Sequence, residues 1–224
     1  MTITHCSSFI LTCSKDGYLK QISIKNQQEV KNYGQIHNNW IWSIACMHNQ
    51  NKFFTTGDNG HLIKWDFDHK NISENWGKIS NNEIYSIVVS HDDDYMITGD
   101  KHGFLVQYTI QSQEIFRDYG KVYDGYIWPI IVNSGGDYMF TVGGDDHRQI
   151  LKQWCLIEGK LVQNYNGIVN KSPICSVSSS RCGRYLFLGY KDGNVEQVSV
   201  VESRVVRKWG VLHPEAKLLC LTTG

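Results

Sequence analysis

The chain of 224 residues has only 3 proline residues, and none of its apolar runs approaches the roughly 18 residues needed to span a bilayer. Its opening, MTITHCSSFILTCSKDG, lacks a basic segment followed by a long apolar one, so no export signal is expected. Neither sign of charge is in excess: 22 Lys and Arg stand against 22 Asp and Glu. Nucleic acids and anionic lipid surfaces are recognised by clustered cations that displace counterions, and this balance argues against both as partners. The 7 cysteines are odd in number and contain no CxxC pair, which argues against a disulfide framework or a zinc knuckle. Reduced, mostly buried thiols in the cytoplasm or nucleus are the expectation. The GxSxG, HExxH and GxxxxGK[ST] signatures are all missing, so no nucleophile elbow, metalloprotease helix or phosphate loop is written in the chain.

What is present is self-similarity. Aromatic-glycine endings NYG, NWG, DYG, NYNG and KWG finish at Gly34, Gly77, Gly120, Gly167 and Gly210, spaced by 43, 43, 47 and 43 residues. In the same phase, SKDG, GDNG, GDKHG and GYKDG place turn glycines at Gly17, Gly60, Gly103 and Gly193. The fourth unit carries GGDDHRQ instead, and an insertion of about four residues accounts for its longer period. A third series runs through Trp42, Tyr85, Trp128 and Cys175 within IWSIA, IYSIV, IWPII and ICSVS. Between these markers the chain alternates or runs apolar over four to seven positions, with no helical spacing. Unit two reads as strand IWSIACM, strand KFFTTG, strand HLIKWDF and a short strand ending near NWG. The Asx-Gly pairs between such strands predict hairpins with type I′ turns. Four short antiparallel strands per repeat is the blade of a β-propeller.

The unit IHNNWIWSIACMHNQNKFFTTGDNGHLIKWDF resembles a WD repeat: His37, an apolar strand, a strand ending in small polar residues, an Asx-Gly turn, and a third strand closing on Trp65 and Asp66. The resemblance extends over about five degenerate units and so over the whole chain. It implies an all-β propeller of four-stranded antiparallel blades, built as one WD-repeat region over 1–224. The expected blades are 1–35, 36–78, 79–121, 122–168 and 169–211, with 212–224 as the first strand of a further or closing blade. The ring either closes with five blades or, as is favoured here, forms part of a longer propeller. The resemblance also implies a buried polar network per blade, matched best by His37, Thr55 or Thr56, Asp58 or Asn59, and Trp65; Thr56 and Asp58 are taken as its members. Elsewhere the histidine position holds Ser80, Tyr123 and Asn170, returning to histidine at His213, so most blades are expected to lack a complete network and to rely on apolar packing.

Side chains two apart on a strand share a face, so Trp40 with Trp42, Glu83 with Tyr85, and Tyr126 with Trp128 are expected to project together at equivalent places in three consecutive blades. The resemblance implies that the start of the first strand opens onto a rim where partners bind. Trp and Tyr dominate binding hot spots, so these six residues form the candidate partner surface. Ile41, Ile84 and Ile127 supply the inward alternates. Lys15, Asp58, Lys101, Arg148 and Lys191 would sit in turns beside them. The clusters Asp92, Asp93, Asp94 and Asp145, Asp146, His147 are read as solvated turns rather than metal sites.

Function is therefore expected to be that of a non-catalytic scaffold presenting a rim to a peptide or protein, with no cofactor, no metal and no small-molecule substrate. A structural segment of a larger scaffold without its own partner site is the alternative. A propeller hydrolase, for which Glu83 is the one candidate acid at the strand mouths, is the less favoured one.

Overall fold

The computed structural model describes residues 1–4, 7–57, 59–67, 72–145, 148–165, 168 and 172–212. Among them all regular structure is β, in five four-stranded antiparallel sheets, each a propeller blade. Blade 1 contains β1 (Thr2–Ile3), β2 (Phe9–Cys13), β3 (Tyr18–Ser23) and β4 (Glu29–Gln35). Blade 2 follows with β5 (Ile41–Cys46), β6 (Lys52–Gly57), β7 (His61–Asp66) and β8 (Ile72–Lys78). Blade 3 holds β9 (Ile84–Val89), β10 (Tyr95–Asp100), β11 (Phe104–Thr109) and β12 (Ile115–Lys121). The last two are β13 (Tyr126–Val132), β14 (Tyr138–Gly144), β15 (Gln149–Cys155) and β16 (Lys160–Asn164), then β17 (Ile174–Ser179), β18 (Tyr185–Tyr190), β19 (Asn194–Ser199) and β20 (Arg204–Val211). In every blade the strands pair in chain order, as a meander. The proposed final strand within 212–224 lies outside the described residues, apart from Leu212.

The chain divides into two compact units, Met1–Lys101 with Leu105–Gly120, and His102–Phe104 with Lys121–Gly224. Within each, apolar residues from one blade meet those of the next. In the first unit Leu11 and Leu19 of blade 1 pack with Ile41, Phe53, Ile63 and Trp65 of blade 2. Phe54, Leu62 and Met47 of blade 2 pack with Ile87, Met96 and Tyr108 of blade 3. Phe53 and Phe54 are adjacent in β6, and the pleat sends one ring to each neighbour. Both are fully buried, and a ring of that size contributes about 1.5–3 kcal/mol. In the second unit Phe140, Val142 and Leu151 pack with Ile174, Leu186, Leu188 and Val198.

The turn glycines have a structural reason. The hairpin turns are not type I′ as expected from their Asx-Gly pairs. Gly17 and Gly193 donate their N–H to the carbonyl three residues back and alone take positive φ, of 80° and 84°, which is a type I turn followed by a left-handed glycine. Each turn glycine also receives the chain leaving its own blade. The N–H groups of Ile36, Ile79, Val122 and Leu212 donate to the carbonyls of Gly17, Gly60, Gly103 and Gly193 at 2.8–3.0 Å. A Cβ at Gly17 would lie 1.9 Å from the carbonyl oxygen of His37, so no larger residue fits. The aromatic-glycine endings are β-bulges: Tyr33, Trp76 and Trp209 are extra residues between the paired positions Asn32 and Gly34, Asn75 and Gly77, and Lys208 and Gly210.

Candidate protein-interaction rim

A buried hydroxyl holds blade 2 together beneath the rim. Trp65 Nε1 donates to Thr55 Oγ1 at 2.9 Å, and His37 Nε2 lies 3.1 Å from the same oxygen. The member of this group is Thr55 and not Thr56, whose hydroxyl donates instead to the Ile84 carbonyl of blade 3 at 3.2 Å. Position 56 points to the next blade because adjacent residues of a strand face opposite ways. Asp58, assigned to the same group from the sequence, lies outside the described residues, as do Asn170 and His213. The His37 ring seats on Gly57, where an added Cβ would come within 2.5 Å of Nδ1.

Blade 4 builds the same junction without histidine. Tyr123 Oη lies 2.7 Å from Thr141 Oγ1, Trp154 Nε1 donates to that oxygen at 2.9 Å, and the Tyr123 ring seats on Gly143. Burial pushes the Tyr123 phenol far above its ordinary value. The expectation that a tyrosine there leaves the network broken is thus corrected, because a phenol supplies the same hydrogen-bonding reach as an imidazole. A second device recurs at a fixed offset. Tyr33, Tyr119 and Tyr165 each donate to the side-chain oxygen of a buried glutamine twelve residues earlier, Gln21, Gln107 and Gln153. Blade 2 has Trp76 and Lys64 at those places, and Lys64, 5% exposed, meets Glu74 at 3.3 Å.

The candidate rim residues are bulge residues. Trp42, Tyr85 and Cys175 are extra residues in the first strands of blades 2, 3 and 5, and the register of blade 4 shifts across Trp128. A bulge lets one side chain leave the alternation, which is how these rings escape the interblade core while Ile41, Ile84 and Ile127 stay buried. Trp40, 38% exposed, stacks on Trp42 with ring centroids 4.5 Å apart and planes 13° apart. Trp42 meets Tyr85 at 4.2 Å. The Lys15 ammonium, from the β2–β3 turn, lies over the Trp40 ring at 4.9 Å. At the other end Lys101 Nζ meets Glu83 Oε1 at 2.8 Å. Burial, followed by the charge of Glu83 and a hydrogen bond to it, pushes the Tyr85 phenol up to about 12. Four rungs of cation and ring, closed at one end by an ion pair, therefore run across three blades of the first unit. The stack also holds the one buried side-chain nitrogen or oxygen without a hydrogen-bond partner among the described residues, Trp42 Nε1.

Tyr126 and Trp128 belong to the second unit. Tyr126 Oη accepts from Gln149 Nε2 at 3.0 Å, and Gln149 Oε1 accepts from the Ile174 N–H at 2.6 Å, so this tyrosine is tied to the start of blade 5. Trp128 is half-buried and precedes a cis peptide bond to Pro129. The structure places no ring against it among the described residues. Lys15 and Lys101, which the sequence places in turns beside the rings, bracket the ladder, Lys15 over Trp40 at one end and Lys101 paired with Glu83 at the other.

The acidic clusters divide differently from expectation. Asp93 is 6% exposed and accepts the backbone N–H groups of His48 and Asn49 of blade 2, both at 2.7 Å. It is an interblade clasp, not a solvated turn residue. Asp92 accepts from Ser90 Oγ and Asp94 N and stays in its own turn. Asp145 caps Arg148 N at 2.7 Å, while Asp146 and His147 lie outside the described residues. Among the described residues no three His, Cys, Asp or Glu side chains gather closely enough to hold a metal ion, and no helix is long and apolar enough to cross a membrane.

Five four-stranded blades, two of them with a His or Tyr, Thr and Trp junction, are the blades of a propeller built from sequence repeats. Residues 29–66 match the family model described as WD domain, G-beta repeat, a span that includes His37, Thr55 and Trp65. That match and the five four-stranded blades together support a WD-repeat propeller family. Comparison with curated proteins returned no match.

Proposed function

We propose that this chain is a non-catalytic scaffold whose rim, formed by Trp40, Trp42, Tyr85 and Glu83 with Lys15 and Lys101, receives a peptide or protein partner. WD-repeat propellers are in general protein-interaction scaffolds, which supports the class of function. The observation that carries the site is the exposed stack of Trp40 on Trp42 and Tyr85. Trp42 and Tyr85, already fixed against one another, lose little side-chain entropy when a partner covers them, so their burial converts efficiently into affinity. Tyr126 and Trp128 enter the proposal as contacts contributed by the second unit on its own. Action in the cytoplasm or nucleus is part of the reading and rests on the free thiols of Cys13, Cys46, Cys155, Cys175 and Cys182.

The test is affinity capture from native extract with the wild-type chain beside Trp40→Ala. Trp40 precedes β5 and is not in the core, so the variant is expected to keep the wild-type circular dichroism and melting profile. Loss of the captured partners is expected. Undiminished capture by a folded Trp40→Ala chain refutes the assignment of this rim.

A further inference from the structure

We infer that the occupant of this rim is an acidic peptide segment, which sets a carboxylate against Lys15 and an acceptor oxygen against the indole N–H of Trp42; this rests on the rim reading above. The two ends of the ladder differ in what they leave unmet. At the blade 3 end, Lys101 and Glu83 neutralise each other at 2.8 Å and Glu83 also engages Tyr85, so neither charge asks for a partner. At the blade 1 end, Lys15 is exposed and its contact among the described residues is the Trp40 ring, which attracts the ammonium without cancelling its charge. The nearest acid in sequence, Asp16, is held by its own turn through Ser14 Oγ and Tyr18 N.

The second observation is independent of charge. Trp42 Nε1 is buried and lacks an acceptor, and an indole nitrogen can only donate. Both unmet groups on the ladder are thus donors, and a basic or donor-rich segment would satisfy neither. A segment carrying carboxylates satisfies both, provided the Trp40 ring, which is on a loop and 38% exposed, shifts to uncover the edge of Trp42. An apolar side chain of the same segment would then take the exposed face of Trp40.

The experiment is selection of a random-peptide display library on the full chain, with Trp40→Ala as the counter-screen. The leading peptide is then titrated into wild type and Lys15→Gln while the indole N–H resonances are followed by NMR. Expected are enrichment of Asp and Glu over the input library, dependence on Trp40 of more than about tenfold, a loss of about two- to fivefold in Lys15→Gln as for an exposed ion pair, and a shifted Trp42 indole signal. Enriched peptides that depend on Trp40 but are neutral or basic overturn the acidic occupant and leave the rim standing. Acidic peptides that bind Lys15→Gln unchanged and leave the Trp42 signal in place also overturn it. The absence of any Trp40-dependent peptide overturns the rim reading, and this inference with it.

Discussion

Thr55→Val keeps the shape of the side chain and deletes one hydroxyl. Thr55 is fully buried, and that oxygen serves both Trp65 Nε1 and His37 Nε2. Removing it takes the acceptor from Trp65 Nε1 and one contact from His37 Nε2, at about 1–3 kcal/mol each. The added methyl returns about 0.8 kcal/mol, so a net loss of about 1–5 kcal/mol is expected. Thr55→Ser keeps the hydroxyl and forfeits only the methyl, at about 1 kcal/mol. Thr56→Val loses the single bond to the Ile84 carbonyl and is expected to lose about 0.5–1.5 kcal/mol. Urea unfolding of the full chain, followed by tryptophan fluorescence and circular dichroism, orders the three variants. The junction is refuted if Thr55→Val is no more destabilised than Thr55→Ser, or if Thr56→Val is the most destabilised of the three.

Blade 2 departs from its neighbours at Lys64 and Trp76, so replacing both by the glutamine and tyrosine of blades 1, 3 and 4 should restore a bond of the kind Tyr119 makes to Gln107 at 3.1 Å. In a double-mutant cycle Lys64→Gln and Trp76→Tyr are expected to couple favourably by about 0.5–1.5 kcal/mol, and additive losses would show that the pair does not form. Alkaline titration tests the phenols of Tyr85 and Tyr165, both pushed up to about 12 from 10.0, chiefly by burial. An unfolded tyrosine ionises first as pH rises, so the stability these groups contribute is fully present below pH 10 and is lost between pH 10 and about 12. The phenolate absorbance of the folded chain should therefore develop in two stages, with unfolding accompanying the second; a single stage near 10 would contradict the burial of both.

The blade plan is legible in the sequence because the repeat period, the turn glycines and the alternating strands are local features that all agree. β6 matches the expected KFFTTG, while β5 and β7 end one residue before the expected IWSIACM and HLIKWDF. Legibility fails where one residue does the work of another type or acts across blades. Nothing in its neighbours says that Tyr123 replaces a histidine, since what qualifies it is the distance of its hydroxyl from Thr141. Asp93 reads as one acid of three in a turn, and its partners are main-chain groups some 44 and 45 residues earlier. The choice of Thr55 over Thr56 turns on which face of β6 each takes, and two adjacent threonines look alike in sequence; the bulge at Trp42 lies in the paired β5. That same bulge explains why the aromatic series stood out: a residue displaced from the ladder need not obey the apolar alternation around it.

The hydrogen bond that returns each departing strand to its own hairpin glycine confines variation to the blade in which it arises. Blade 4 lacks that glycine turn and runs about four residues longer, yet β17 opens with the same pairing and single bulge as β5 and β9, its first N–H held by the side-chain amide of Gln149. Loop length is thus absorbed inside a repeat and not handed on to the next one. A chain organised this way can diverge one blade at a time, so that the blades carrying the aromatic ladder are free to specialise while the others keep only what packing demands.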